Sequence, residues 1–150
     1  MADALHPRRR GLSDVWLASE ALVCLILAGV ALRMVSFARL ADFASGRRMS
    51  GREKRRPAVT GARVGRAVVA AAHRAPWGPR CFERGLAAHV MLRRRGEDSR
   101  LCYGARNDGE QGLAAHVWVR LGDEDIVGGV EAARYALLTT FPPDPVTPGR

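Results

Sequence analysis

The chain has 150 residues, 47% hydrophobic and 26% charged, and its net charge of +9 is carried almost wholly by arginine, with Lys54 the single lysine. That length fits one modest domain with one core, and the composition excludes a collagen, a coiled coil and a multi-span membrane protein. Cys24, Cys81 and Cys102 are odd in number and form no CxxC pair, which argues against a disulfide framework or a cysteine zinc site. The cationic excess suits an anionic partner, but no interleaving of lysine with aromatics accompanies it, so nucleic acid is not expected.

Residues 1–14 are polar and basic and read as a flexible N-terminus. The run 15–43 contains no proline and reads as a helix or two, with Ser13 or Asp14 as N-cap. Its stretch from Ala21 to Leu32 is apolar all round, which implies deep burial or membrane contact. A spanning helix needs about 20 apolar residues, and here Glu20 and Arg33 interrupt sooner. Arg33, Phe37, Arg39 and Leu40 continue a helical pattern past any signal cleavage point, so a buried or partner-docking helix is expected. Residues 44–62, with their charge run and Gly46, Gly51, Pro57 and Gly61, read as a basic linker.

From Arg63 the pattern is helical again, with a stripe of Val64, Ala67, Val68 and Ala71. Pro79 precedes a second helix from Arg80 to Arg94, stopped by Gly96. Strand signals follow at Leu101–Arg106, Leu113–Leu121 and Ile126–Val127, separated by Asn107-Asp108-Gly109 and Gly122-Asp123-Glu124. Helices followed by an antiparallel meander define an α+β plan for residues 63–141, and 142–150 form a proline-rich flexible tail.

Cys81 carries the chemistry. It opens a helix after Pro79, so its sulfur belongs near the unpaired N–H groups and positive end of that helix, with Arg80 and Arg84 close by; all favour a thiolate nucleophile. An ordinary small hydrophobe at a helix start is the competing reading. His116 shifts the balance. In AAHVWVRL, strand alternation puts His116, Trp118 and Arg120 on one face and Ala115, Val117 and Val119 on the other. A cysteine at a helix N-terminus with a histidine on the second strand of a meander is a working nucleophile–base arrangement. His89 lies two turns along the helix from Cys81, about 12 Å away, and reads as packing. Cys102 and Cys24 read as core residues, and no P-loop, GxGxxG or HExxH promises a cofactor or metal.

PWGPRCFERGLAAHVMLRRRG, LCYGARND and AAHVWVRLGDEDIVGG together resemble the lasso peptide biosynthesis B proteins, leader peptidases of the transglutaminase-like cysteine protease superfamily. Cys81, Arg84, Arg94, Arg95, Gly96, Leu101, Gly104, Arg106, Ala115, His116, Trp118 and Val119 match the family's pattern. SEALVCLILAGVALRMVSFARLADF resembles its Glu-Ala-rich opening helix. The resemblance covers roughly residues 15–141. It implies a transglutaminase-like, papain-like core in which the helix bearing Cys81 packs on a small antiparallel sheet behind an N-terminal helical segment. It also implies Cys81 as nucleophile and His116 as base in removing the leader of a ribosomally made precursor peptide, without cofactor or metal. Further implied are a separate leader-recognition protein, a lasso cyclase resembling asparagine synthetase and a cytoplasmic location; weak membrane association through the apolar run 15–43 stays open from the residues themselves.

Phe82, Val117 and Arg120 depart from the family's usual Leu, Ala and Glu. Where an Asp often stands a dozen residues beyond the histidine, this chain has Gly128-Gly129. If 122–125 form the turn, His116 lies opposite residues 129–131, and Asp123 and Asp125 sit more than about 10 Å away at the tip. Glu131 or a backbone carbonyl is left to orient the imidazole. A transglutaminase-like acyltransferase or amidase, and a non-enzymatic scaffold, are the alternative functions.

Overall fold

The computed structural model describes residues 12–46, 57–109 and 112–143. In chain order the elements are α1 (Leu12–Met34), α2 (Phe37–Ser45), α3 (Pro57–Arg74), α4 (Cys81–Arg94), β1 (Ser99–Asn107), β2 (Leu113–Leu121), β3 (Glu124–Val127), α5 (Gly129–Ala132) and β4 (Ala136–Phe141). The strands form one antiparallel sheet in the order β3-β2-β1-β4. The protein is therefore α+β, with helices gathered ahead of a small sheet.

Two boundaries differ from expectation. The opening helix starts at Leu12, so Ser13 and Asp14 lie in its first turn rather than at its cap. There Asp14 pairs with Arg63 at 3.1 Å. The basic segment 44–62 is also shorter than its charge suggested. Ala44 and Ser45 belong to α2, and α3 begins at Pro57, where proline's missing N–H costs the helix nothing. Residues 47–56 lie outside the described residues, as do 1–11 and 144–150.

Three layers build the core. α4 lies across β1 and β2, α3 packs beside it toward β3, and α1 covers both helices. The stripe predicted on α3 points inward, with Val64 and Val68 fully buried. From the sheet, Leu101, Val117, Val119 and Leu121 meet Leu86, Met91 and Leu92 of α4. α4 can come this close because a Cβ on Gly85 would lie 2.8 Å from Val117 Cγ1 and 3.1 Å from Leu101 Cδ1. On the sheet's other face Cys102, Trp118, Ala132 and Tyr135 make a second, smaller core.

α1 corrects the expectation of deep burial. Its inner face is made of Ala21, Cys24, Leu25, Ala28 and Gly29, all buried, while Val23, Ile26, Leu27 and Val30 are exposed. Glu20 ties the helix to α4 through Arg95, whose Nη1 donates to Oε1 at 3.1 Å, with Arg94 at 3.7 Å.

Candidate active site

Cys81 is the first residue of α4 and is half-buried. Pro79, two residues before it, is fully buried, and Arg80 is extended, as a residue at a helix N-cap is. Glu83 reaches back to accept the Arg80 N–H at 2.7 Å, one half of a capping box. Arg84 turns its Nε onto the Pro79 carbonyl at 2.8 Å, which braces the turn entering the helix. Cys81 therefore presents its amide and thiol at the positive end of α4, on a fixed backbone.

Beside this helix start lies an open cavity of about 370 Å³ lined by Gly29, Leu32 and Arg33 of α1, by Trp77, Gly78 and Arg80, and by Phe82 and Glu83. Cys81 sits in sequence between two of its lining residues.

His116 lies on β2 and is 6% exposed. Its Nε2 stands 2.8 Å from the Gly128 carbonyl oxygen, and its Nδ1 lies 3.9 Å from Oε2 of the mostly exposed Glu131. The ring stacks against Tyr135 at 5.0 Å between centroids and against Trp118 at 6.0 Å. Arg106 sits over the Tyr135 ring at 5.0 Å and pairs with Asp108 at 3.0 Å. A carbonyl can only accept, so Nε2 carries a proton and donates this bond.

Gly128 makes that arrangement possible. Its φ is +79°, and a Cβ there would lie 2.8 Å from the Val117 carbonyl oxygen and 3.1 Å from Trp118 Cβ. Neither aspartate at the hairpin tip orients the imidazole: Asp125 accepts from Arg120 Nε at 2.8 Å, and Asp123 follows Gly122 in the turn.

Both expected residues are thus on the expected elements, and those elements touch, since Gly85 packs on Val117 next to His116. Their polar atoms are not joined. α4 covers the face of β2 that carries Val117, whereas the imidazole projects with Trp118 from the other. Among the described residues the Cys81 thiol has no hydrogen-bond partner, and both imidazole nitrogens are directed at Gly128 and Glu131.

The other titratable candidates are structural. His89 is fully buried, with Nε2 at 3.0 Å from the Ala44 carbonyl and Nδ1 at 3.0 Å from Ser99 Oγ. Burial, helped by the nearby Arg93 charge, pushes its pKa down to about 4. Cys24 is buried in α1, and burial, with Glu20 adding, raises its thiol pKa. No group of three or more His, Cys, Asp or Glu able to hold a metal occurs among the described residues. Tyr135 had no sequence signal as a contact of the site, and Arg106 had one only through the resemblance.

A fold of helices on a small antiparallel sheet, with a cysteine opening the helix against that sheet and a histidine on its second strand, defines a transglutaminase-like protein. Residues 24–140 match the model of the transglutaminase-like superfamily, and the chain belongs to it. Comparison with curated proteins and with solved structures finds no match.

Proposed function

We propose that the protein is a cysteine peptidase that removes the leader from a ribosomally synthesised precursor peptide during lasso peptide maturation, with Cys81 as nucleophile and His116 as base. The observation that carries the reading is the bond from His116 Nε2 to the Gly128 carbonyl. It supplies by backbone what a carboxylate supplies in a Cys–His–Asp site, a fixed tautomer with the opposite nitrogen free to accept a proton.

In the reaction, Nδ1 takes the Cys81 thiol proton and the sulfur attacks the scissile carbonyl carbon. The oxyanion that forms is stabilised by the Cys81 amide at the head of α4. The imidazolium gives its proton to the leaving amine as the C–N bond breaks, and a water deprotonated by Nδ1 hydrolyses the thioester. In this reading the imidazole, which projects with Trp118 from the face of β2 away from α4, must turn toward the sulfur when peptide binds. The partners in this reading are a separate leader-recognition protein and an asparagine-synthetase-like cyclase, in the cytoplasm.

The test is mass spectrometry of the precursor encoded beside this chain, incubated with the recognition protein and either wild type or Cys81→Ala. Cleavage by wild type alone supports the peptidase and its nucleophile together. Cleavage by both removes Cys81 from the mechanism. Cleavage by neither, with the cyclase also present, favours a non-enzymatic scaffold. That second reading draws on one observation, that no hydrogen bond joins Cys81 to His116 among the described residues.

A further inference from the structure

α1 is built the wrong way round for a helix that ends at water. Its inner face carries mostly small residues, Ala21, Cys24, Ala28 and Gly29, beside one leucine, and these let α3 and α4 approach. Its outer face carries the bulk: Trp16, Val23, Ile26, Leu27, Val30 and Met34 are all 45% or more exposed. They recur every three, four or seven residues, so they form one stripe along the helix. At 1.5 Å per residue the 23-residue helix is about 35 Å long. Apolar surface that large and continuous marks an interaction site.

Charge identifies the occupant. In sequence the stripe follows Arg8, Arg9 and Arg10, and the helix pair α1–α2 precedes Arg47, Arg48, Arg52, Lys54, Arg55 and Arg56, with Glu53 the only acid in that run. An apolar helical face flanked in sequence by cationic runs matches an anionic bilayer surface, where apolar side chains enter the acyl boundary and cations meet lipid phosphate. We propose that the outer face of α1 docks this protein on an anionic membrane surface, the helix lying in the plane of the interface.

Although α1 is long and apolar enough to cross a bilayer, with mean hydropathy 2.2, its inner face is committed to α3 and α4 and Glu20 is paired to Arg95. The helix therefore lies on the membrane rather than across it. Gly29, on the inner face of the same helix, lines the cavity beside Cys81, so the outer stripe is left for the membrane. The inference is independent of the peptidase reading, and its test uses no activity.

Full-length protein is sedimented with vesicles of phosphatidylcholine alone, and of phosphatidylcholine with 30% phosphatidylglycerol, at low and high salt. The expected result is at least tenfold stronger binding to the anionic vesicles, weakened by salt. A Val23→Glu/Leu27→Glu double variant should bind at least tenfold more weakly. Both positions are exposed, so its unfolding midpoint should match wild type. As a second measurement, Trp16→Phe should remove most of the blue shift in tryptophan emission that anionic vesicles cause. Wild type remaining in the supernatant with anionic vesicles overturns the proposal. So does a double variant that binds like wild type, or a stripe whose loss only converts a dimer to monomer or releases a protein partner.

Discussion

The Gly128 carbonyl oxygen lies 2.8 Å from His116 Nε2, and Gly128 reaches that place only with φ at +79°. The residue that orients the imidazole is therefore specified by its lack of a side chain. Any side chain at 128 adds a strained backbone and a collision with the Val117 carbonyl.

Gly128→Ala should thus lower stability by about 1–3 kcal/mol and reduce precursor cleavage by at least tenfold. Chemical denaturation and a cleavage assay on the same preparation check the two effects. A stable variant with full activity would remove the carbonyl from the mechanism.

Glu131 and His116 should separate sharply. The Glu131 carboxylate is 61% exposed and 3.9 Å from Nδ1, a geometry worth at most about 1 kcal/mol. Glu131→Gln should change the cleavage rate by less than about fivefold, whereas His116→Ala should lower it by about 10²- to 10⁴-fold. Rates under single-turnover conditions measure both.

The three cysteines should label unequally. Cys24 and Cys102 are 7% and 1% exposed, while Cys81 is half-buried at a helix start. Iodoacetamide should modify Cys81 alone in the folded protein and all three in denaturant, as peptide mass spectrometry will show. Equal native rates would count against an accessible nucleophile at position 81.

Stability should fall on acidification through His89. An unfolded imidazole takes its proton near pH 6.5, the buried one only at about 4. Between those values the unfolded state binds more protons, so stability drops as pH falls, by on the order of 3 kcal/mol once both forms are protonated. Denaturation curves between pH 7 and 4 should show a shallower pH dependence in His89→Gln than in wild type.

The helix bearing Cys81 and the strand bearing His116 could be read from the chain, because Pro79, Gly96 and the alternation of AAHVWVRL are side-chain signals. β4 could not. Its register against β1 shifts between Tyr103 and Gly104, skipping Leu138, so a bulge breaks the two-residue period that betrays a strand. Leu137 and Leu138 are consequently both exposed. The orienting group was narrowed only to Glu131 or a backbone carbonyl, since a carbonyl has no residue signature. The all-apolar run in α1 hid which face would be covered, because small and large apolar residues are alike to a hydropathy pattern and differ only in how closely they let a neighbour approach. The spacing of Cys81 and His116 in the chain did not reveal that the imidazole leaves the face of β2 opposite the one that the Cys81 helix covers.

α4 is held at both ends by α1. At its start Glu83 rests against Gly29, where a Cβ would come within 3.0 Å of Oε1. At its far end Arg95 is tied to Glu20. A chain trimmed to begin at Arg63 would keep every residue of the Cys81 helix and the sheet, yet leave that helix unsupported on its outer side. What reads in sequence as an appendage is the back wall of the half that carries Cys81 and His116, and the smallest piece that could fold as a unit begins at α1.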